Sequence, residues 1–297
     1  MSSAHQQLVR LSRPSSKPKA MVEISVDGEA VSVPEGSTIL DACKKLGKDI
    51  PTLCWHQTLT PANVCRVCMV ELEGARTLVP SCSREVEPGM KVKTRNERVD
   101  LTRRLVLEML GSSVDLSISP GTPEMIAEYD ARPERFGPDA ANVARPVKDD
   151  NALYVRDYSK CILCYRCVQA CGDDHQNTFA IAVAGRGFDA HISTEFDTPL
   201  PNSACVYCGN CIAVCPTGAL IARREWQMRG DNTWDESKQT TTDTICPYCG
   251  VGCTLTLHVQ DGEIVKATSP FGNDVTLGNL CIKGRFGWQH VQNREAD

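Results

Sequence analysis

The residues best able to do chemistry in this chain are its thiols. Seventeen of its 297 residues are cysteine, and all but Cys43 fall into four groups of four. Cys54, Cys65, Cys68 and Cys82 are spaced C-x10-C-x2-C-x13-C. Cys161, Cys164, Cys167 and Cys171, and again Cys205, Cys208, Cys211 and Cys215, are spaced C-x2-C-x2-C-x3-C. Cys246, Cys249, Cys253 and Cys281 are spaced C-x2-C-x3-C-x27-C. A disulfide framework suits short secreted domains in an oxidising compartment. Here the cysteines are tightly grouped, and the first twenty residues (MSSAHQQLVRLSRPSSKPKA) are basic and Ser/Pro-rich, without the apolar stretch of a leader peptide. The grouping therefore points to metal ligation.

The two repeated runs specify the metal most closely. One C-x2-C-x2-C loop can offer three thiolates to a four-iron cube, and in two-cluster ferredoxins the fourth cysteine of each run ligates the other cluster. On that rule Cys161, Cys164, Cys167 and Cys215 hold one 4Fe–4S cluster, and Cys205, Cys208, Cys211 and Cys171 hold a second. Pro216 follows Cys215 as in the bacterial run, whereas Gly172 follows Cys171. Structural zinc favours paired C-x2-C knuckles over triplets. The first group departs from the plant-type C-x4-C-x2-C loop, so reading it as a 2Fe–2S site leans on its surroundings. His56, next to Trp55, reads as a surface or hydrogen-bonding residue, not a ligand. On spacing alone the last group is open to zinc as well as to iron–sulfur.

The elements around these groups read as a multi-domain α+β protein. Val22, Ile24 and Val26 alternate up to Asp27-Gly28, and Val31 and Val33 resume the alternation, the signature of a hairpin. Ile39, Ala42, Cys43 and Leu46 form the buried stripe of a short helix capped by Ser37 or Thr38 and ended by Gly47, which makes Cys43 a core residue. With short strands at 70–72 and 91–93, residues 21–97 read as a β-grasp domain like that of plant-type ferredoxins. Residues 97–110 read as a helix with Leu101, Leu105 and Met109 four apart, the start of a helix-and-linker segment (98–150). Residues 151–235 form the two-cluster ferredoxin domain, with a small hairpin between its runs. Residues 241–297 form the last cluster domain, with a hairpin turning at Asp261-Gly262. The first twenty residues read as a disordered arm.

The last group's context carries a resemblance. ICPYCGVGCTL followed by GNLCIKGRFGW resembles the amino-terminal cluster domain of molybdopterin oxidoreductases, formate dehydrogenases in particular. That resemblance implies a third 4Fe–4S cluster on Cys246, Cys249, Cys253 and Cys281. It also places Lys283, the lysine of Cys-x-Lys-Gly, between that cluster and a pterin of the molybdenum or tungsten cofactor. The module order over about residues 21–292 is similar to the alpha subunit of NAD-linked formate dehydrogenases. Residues 21–220, with VRDYSKCILCYRCVQAC, GRGFD and CVYCGNCIAVCPTGAL, also resemble the diaphorase small subunit of NAD-reducing hydrogenases and the large complex I iron–sulfur subunit. Two departures stand out. LTRRLVLEMLGSSVDLSISPG lacks the His-x3-Cys-x2-Cys-x5-Cys motif of these relatives, and the sequence ends shortly after Cys281, where a formate dehydrogenase continues into its cofactor domain.

The implied function is an electron-transfer subunit, or amino-terminal part, of a formate-dehydrogenase-type enzyme. Its partners would be a molybdopterin-containing polypeptide, where molybdopterin guanine dinucleotide would reside, and a flavin/NAD(P) diaphorase subunit or other carrier. A hydrogenase diaphorase subunit and a non-redox zinc protein are the alternatives. The chain shows no nucleophile, acid–base pair or Gly-rich nucleotide loop, so it is not expected to turn over substrate alone. A net charge of −5 gives no electrostatic case for nucleic acid, and no apolar run reaches membrane-spanning length. A cytoplasmic location is the expectation. Anaerobically prepared protein should therefore hold one 2Fe–2S and three 4Fe–4S clusters, about 14 iron atoms per chain. An iron count near 18, with a further cubane signal, would contradict this inventory.

Overall fold

The computed structural model describes residues 19–292; the expected amino-terminal arm lies almost wholly outside them. In the first unit, β1 (Met21–Val26) and β2 (Glu29–Pro34) pair antiparallel about Asp27-Gly28. Both turn residues have positive φ (+50° and +85°), as a two-residue hairpin matched to strand twist requires. Val22, Ile24, Val26, Val31 and Val33 face inward. α1 (Ile39–Lys45) starts at a reciprocal cap, in which Thr38 accepts from the Asp41 amide and Asp41 accepts from the Thr38 amide. It buries Ile39, Leu40, Ala42 and Cys43 against the hairpin.

β3 (Met69–Leu72), β4 (Val79–Pro80) and β5 (Lys91–Lys93) complete a five-stranded sheet in the order β2-β1-β5-β3-β4. β5 runs parallel to β1, and α1 supplies part of the core beside them, the β-grasp arrangement. Cys68 and Cys82 belong to this same core cluster. The thiols thus reach their places from segments anchored in the sheet.

α2 (Glu97–Ser113) begins with Asn96 accepting from the Val99 amide. Its buried row is Val99, Arg103 and Leu107, whereas Leu101 and Met109 are about half exposed (48% and 51%). The Leu101–Leu105–Met109 spacing therefore located the helix but not its inner face. The reason is polar: the Arg103 guanidinium is buried, donating to the Tyr129 hydroxyl at 2.9 Å and to the Met69 carbonyl at 3.0 Å. α3 (Thr122–Glu128) packs across α2, and Leu107, Tyr129 and Ala131 share a cluster with Leu53 and Val67 from the cysteine loop. Beyond Gly137 the chain is irregular as far as the next strand.

The second unit consists of β6 (Tyr154–Arg156), α4 (Arg166–Cys171), β7 (Ala182–Ala184), β8 (His191–Ser193), α5 (Asn210–Ala213) and β9 (Leu220–Ala222). β6 pairs with β9, and β7 with β8, both antiparallel. α6 (Arg223–Gly230) leads into a three-stranded meander of β10 (Thr240–Ile245), β11 (Thr254–Gln260) and β12 (Glu263–Thr268), followed by α7 (Ile282–Phe286) and α8 (Trp288–Gln292).

The units interlock. The Thr60 amide and hydroxyl donate to Asp174 at 2.8 and 2.9 Å, and the His56 ring meets Phe271 edge-on at 4.4 Å between centroids. Leu59, Ala170, Val214 and Phe271, one or more from each unit, pack together. The protein is α+β and multi-domain.

Cys43 is fully buried, and burial pushes its thiol up to about 11. It lies on α1, outside the segments that carry the four grouped thiols, though it shares a core with Cys68 and Cys82. Cys43→Ala should leave iron content unchanged and cost about 1 kcal/mol of stability through a small cavity. Thermal unfolding alongside iron analysis checks both halves, and loss of the two-iron signal would make Cys43 a cluster neighbour.

Candidate metal centres

The two repeated runs adopt the same backbone path. Leu163 and Tyr165 in the first, and Tyr207 and Gly209 in the second, have φ of +52°, +66°, +55° and +70°. Two left-handed residues per loop fold the chain back on itself so that three cysteines line one cavity. For a non-glycine residue this conformation costs roughly 1–2 kcal/mol, a strain retained where the site demands it. The loop amides aim inward as well. Leu163 donates to Cys161 Sγ and Tyr207 to Cys205 Sγ, each at 3.4 Å. α4 and α5 each begin between the second and third cysteine of their run.

Two cavities result. One is lined by Cys161, Cys164, Cys167 and Cys215; the other by Cys171, Cys205, Cys208 and Cys211. The last cysteine of each run thus faces the other run's cavity. Leu220 lines both and stands between them. Burial pushes the Cys161 thiol up to about 11 and Cys164 to about 12, and holds Cys167 and Cys211 well above the ordinary range. These thiols are the right donor set for a cationic iron core, whose charge makes thiolate the favoured form.

In the first group Cys54, Cys68 and Cys82 are buried and Cys65 is half-buried. Cys54 is held low by hydrogen bonds from the Cys65 and Cys82 thiols, which are themselves pushed up. The four converge from the 54–68 loop and the segment after β4. His56 is not at the surface: its Nδ1 lies 3.0 Å from the Thr58 hydroxyl, and burial, with Arg166 and His175 nearby, lowers it to about 4. That neutral ring packs; no ligand role is needed.

In the last group the Cys246 amide donates to the Cys253 carbonyl at 2.8 Å, closing the loop in front of β11. The nearby Cys246, Cys249 and Cys281 charges add to burial in raising Cys253. Cys249 and Cys281 are exposed, unlike any other cysteine of the chain. Cys281 caps α7, and Lys283 stands exposed on the same helix. Among the described residues no three His, Cys, Asp or Glu side chains close on the spot of a single ion.

Sequence reading missed four polar residues beside these thiols. The buried Tyr154 hydroxyl lies 3.2 Å from Cys205 Sγ. Arg156, 1% exposed and paired with Asp150, lines the cavity of Cys171, Cys205, Cys208 and Cys211. Arg166 donates to the Leu53 carbonyl, beside Cys54, at 3.2 Å. Arg285 is buried and donates to the Cys208 carbonyl at 3.0 Å and the Asn210 amide oxygen at 3.1 Å. Only the last pair left a trace in the sequence, since Asn210 holds the place in its run that Arg166 holds in the first.

Comparison with known proteins agrees with this geometry at the level of domains. Residues 19–97 match the 2Fe-2S iron-sulfur cluster binding domain, residues 153–221 the ferredoxin-like domain of NADH-quinone oxidoreductase subunit 3, and residues 239–293 the molybdopterin oxidoreductase Fe4S4 domain. The chain is therefore an iron–sulfur protein made of these three domain families in series. Among its relatives are the NADPH-Fe(3+) oxidoreductase alpha subunit of Geobacter sulfurreducens, 35% identical over 92% of this chain and 32% of the relative, and a subunit of the NADP-reducing hydrogenase of Solidesulfovibrio fructosivorans, 42% identical over 68% of this chain and 36% of the relative. A Staphylococcus haemolyticus protein named only provisionally as a formate dehydrogenase is 26% identical over 91% of this chain and 31% of its own. The NAD+-reducing [NiFe]-hydrogenase crystal structure superposes with a TM-score of 0.61 at 26% identity, covering 69% of this chain and 88% of that one. The chain is similar to iron–sulfur subunits of NADH- and NADP-linked oxidoreductases, and spans about a third of the length of the curated relatives it matches.

The crossed cavities make a sharp expectation. Cys171→Ser should cost about four iron atoms, and adding Cys205→Ser should cost no more, because both serve one cluster. Adding Cys161→Ser to Cys171→Ser should remove about four further iron atoms. The opposite pattern would mean that each run holds its own fourth ligand.

Proposed function

We propose that this chain carries electrons between a molybdopterin cofactor held on a separate polypeptide and a flavin/NAD(P) subunit or other carrier, in an enzyme of the formate dehydrogenase type. Iron–sulfur clusters, when bound, supply the one-electron carriers. The protein's part is to hold them in line, bury them to different degrees and surround them with chosen hydrogen bonds and charges. Cys54, Cys65, Cys68 and Cys82 would hold the 2Fe–2S cluster. The crossed sets of Cys161, Cys164, Cys167 and Cys215, and of Cys171, Cys205, Cys208 and Cys211, would hold two 4Fe–4S clusters. Cys246, Cys249, Cys253 and Cys281 would hold the third.

The observation that carries the reading is the exposed end. The last group alone presents two cysteines to the outside, with Lys283 on the adjoining helix. Apolar side chains stand out along the same stretches: Val251 is 59% exposed, Val275 58%, Leu277 52% and Ile282 40%. An uncovered cluster ringed by exposed apolar residues suits a face that another polypeptide covers. A lysine there would offset the negative charge of the cofactor's phosphates and of a reduced cluster. The domain family matched by this segment carries molybdopterin in its name, which supports the same assignment.

A second reading has its own support. The hydrogenase subunit is the most identical of the relatives named above, over about two thirds of this chain, so the chain would then serve a NADP-linked hydrogenase. Purification of the native complex separates the two by the co-purifying chain. The discriminating variant is Lys283→Ala. It should retain all its iron and lower formate-linked turnover at least tenfold, about 1.4 kcal/mol in the barrier, while leaving reduction of artificial acceptors by NAD(P)H intact. Unchanged formate-linked turnover would reduce Lys283 to a surface lysine.

A further inference from the structure

Two guanidiniums, that of Arg285 buried and that of Arg166 half-buried, stand where one thiol set meets the next, and neither has a carboxylate partner among the described residues. Arg166 lies inside the first run, between Cys164 and Cys167, and reaches across the domain boundary to the Leu53 carbonyl, one residue before Cys54. Its Nε is buried without any acceptor. Arg285 is 5% exposed and lies one turn after Cys281, its amide bonded to the Cys281 carbonyl at 3.0 Å. Its side chain reaches back across the other boundary to the Cys208 carbonyl and to Asn210.

The two are related by the internal repeat. The 44-residue offset that carries Cys164 onto Cys208 carries Arg166 onto Asn210. In the second run the arginine is replaced by a short amide whose oxygen accepts from an arginine of the next domain. Gly209 makes the room: a Cβ there would collide with the Arg285 side chain. Where the first run has Tyr165, whose own arginine follows, the second run has glycine and imports its cation.

A buried guanidinium whose acceptors are neutral carbonyl and amide oxygens is costly to hold unless negative charge lies close by. Arg166 stands between Cys164 and Cys167 in the chain and bonds the residue before Cys54; Arg285 bonds the Cys208 carbonyl and follows Cys281 by one turn. Each cation therefore faces two cluster sites at once. Arg156, also buried, differs because Asp150 neutralises it.

We propose that Arg166 and Arg285 are positioning charges of the relay, each raising the reduction potentials of the two clusters it lies between, so that an electron meets a stabilising charge at both domain boundaries. The inference rests on the relay reading above. A fixed positive charge favours the more negative, reduced cluster, so its removal must lower the potential.

The test is a potentiometric titration of the full chain followed by electron paramagnetic resonance, with iron analysis on each variant. In Arg285→Gln the reduced fraction of at least one four-iron cluster at fixed potential should fall about tenfold, a shift of about 59 mV for one electron, with the two-iron midpoint unmoved. In Arg166→Gln the two-iron midpoint should fall by a similar amount. Arg285→Lys, which keeps the charge and loses the planar fork, should stay close to the parent midpoints. Full iron with no midpoint moved in either Gln variant overturns the proposal, as does an equal shift of every cluster, or loss of iron from both Gln and Lys variants at position 285. If only Arg285→Gln loses iron, the two-iron midpoint of Arg166→Gln decides. Absence of iron from the parent chain would instead sink the relay reading itself.

Discussion

Sixteen thiols gathered in groups of four, fourteen of them buried or half-buried, are the constraint on which the rest of the fold depends. Desolvation drives Cys161, Cys164, Cys167 and Cys211 away from the thiolate form. An iron core reverses that preference, so occupancy and folding are coupled. The modest apolar content and 5% aromatics leave each small sheet with little core of its own. Cys68 and Cys82 lie in the β-grasp core, and Cys167 in the core of the ferredoxin unit. The metal sites are thus part of the packing that holds each unit together.

The same constraint explains the backbone. Three thiolates from seven consecutive residues can meet only if the chain reverses twice, and the repeated left-handed pairs at Leu163/Tyr165 and Tyr207/Gly209 achieve this. That the two runs share the path while differing in residue type shows that the donor geometry, not the local side chains, dictates it. The side chains are then free to diverge. Tyr165-Arg166 carries its own cation, and Gly209-Asn210 opens a slot for one from the next domain. Divergence of a duplicated loop has in this way become a domain contact.

Much of this was legible in the sequence, for reasons that vary by element. The β1–β2 hairpin announced itself through strict alternation and Asp27-Gly28, and α1 through its cap and stripe. The thiol sets were legible because ligand spacing is a local property, and the crossed arrangement because the run was duplicated. β10 was invisible: all six of its residues, TTTDTI, are exposed, so no hydrophobic period marks it, and its existence depends on pairing with β11. The inner face of α2 was hidden because an arginine occupies it, held by Tyr129 and Met69 from distant parts of the chain. Arg285 was read past in favour of its neighbour Lys283, since nothing local says which of two cations on a five-residue helix points inward.

That choice on α7 separates two kinds of positive charge at the last thiol set. Gly284 and Gly287 let the helix lie close to its neighbours: a Cβ at 284 would crowd Leu280, and one at 287 would meet the Lys283 carbonyl and Tyr248. The helix is thereby fixed in rotation, with Arg285 and Phe286 buried toward the second unit and Ile282 and Lys283 turned outward beside the exposed Cys281. The inward cation is committed to the chain's own clusters, because it is buried against Cys208 and Asn210. The outward cation remains available to whatever covers this face. A single turn of helix thus joins the buried Cys208 loop to the exposed Cys281, and its orientation rests on Gly287, which admits no side chain, and on Gly284, where one would crowd Leu280.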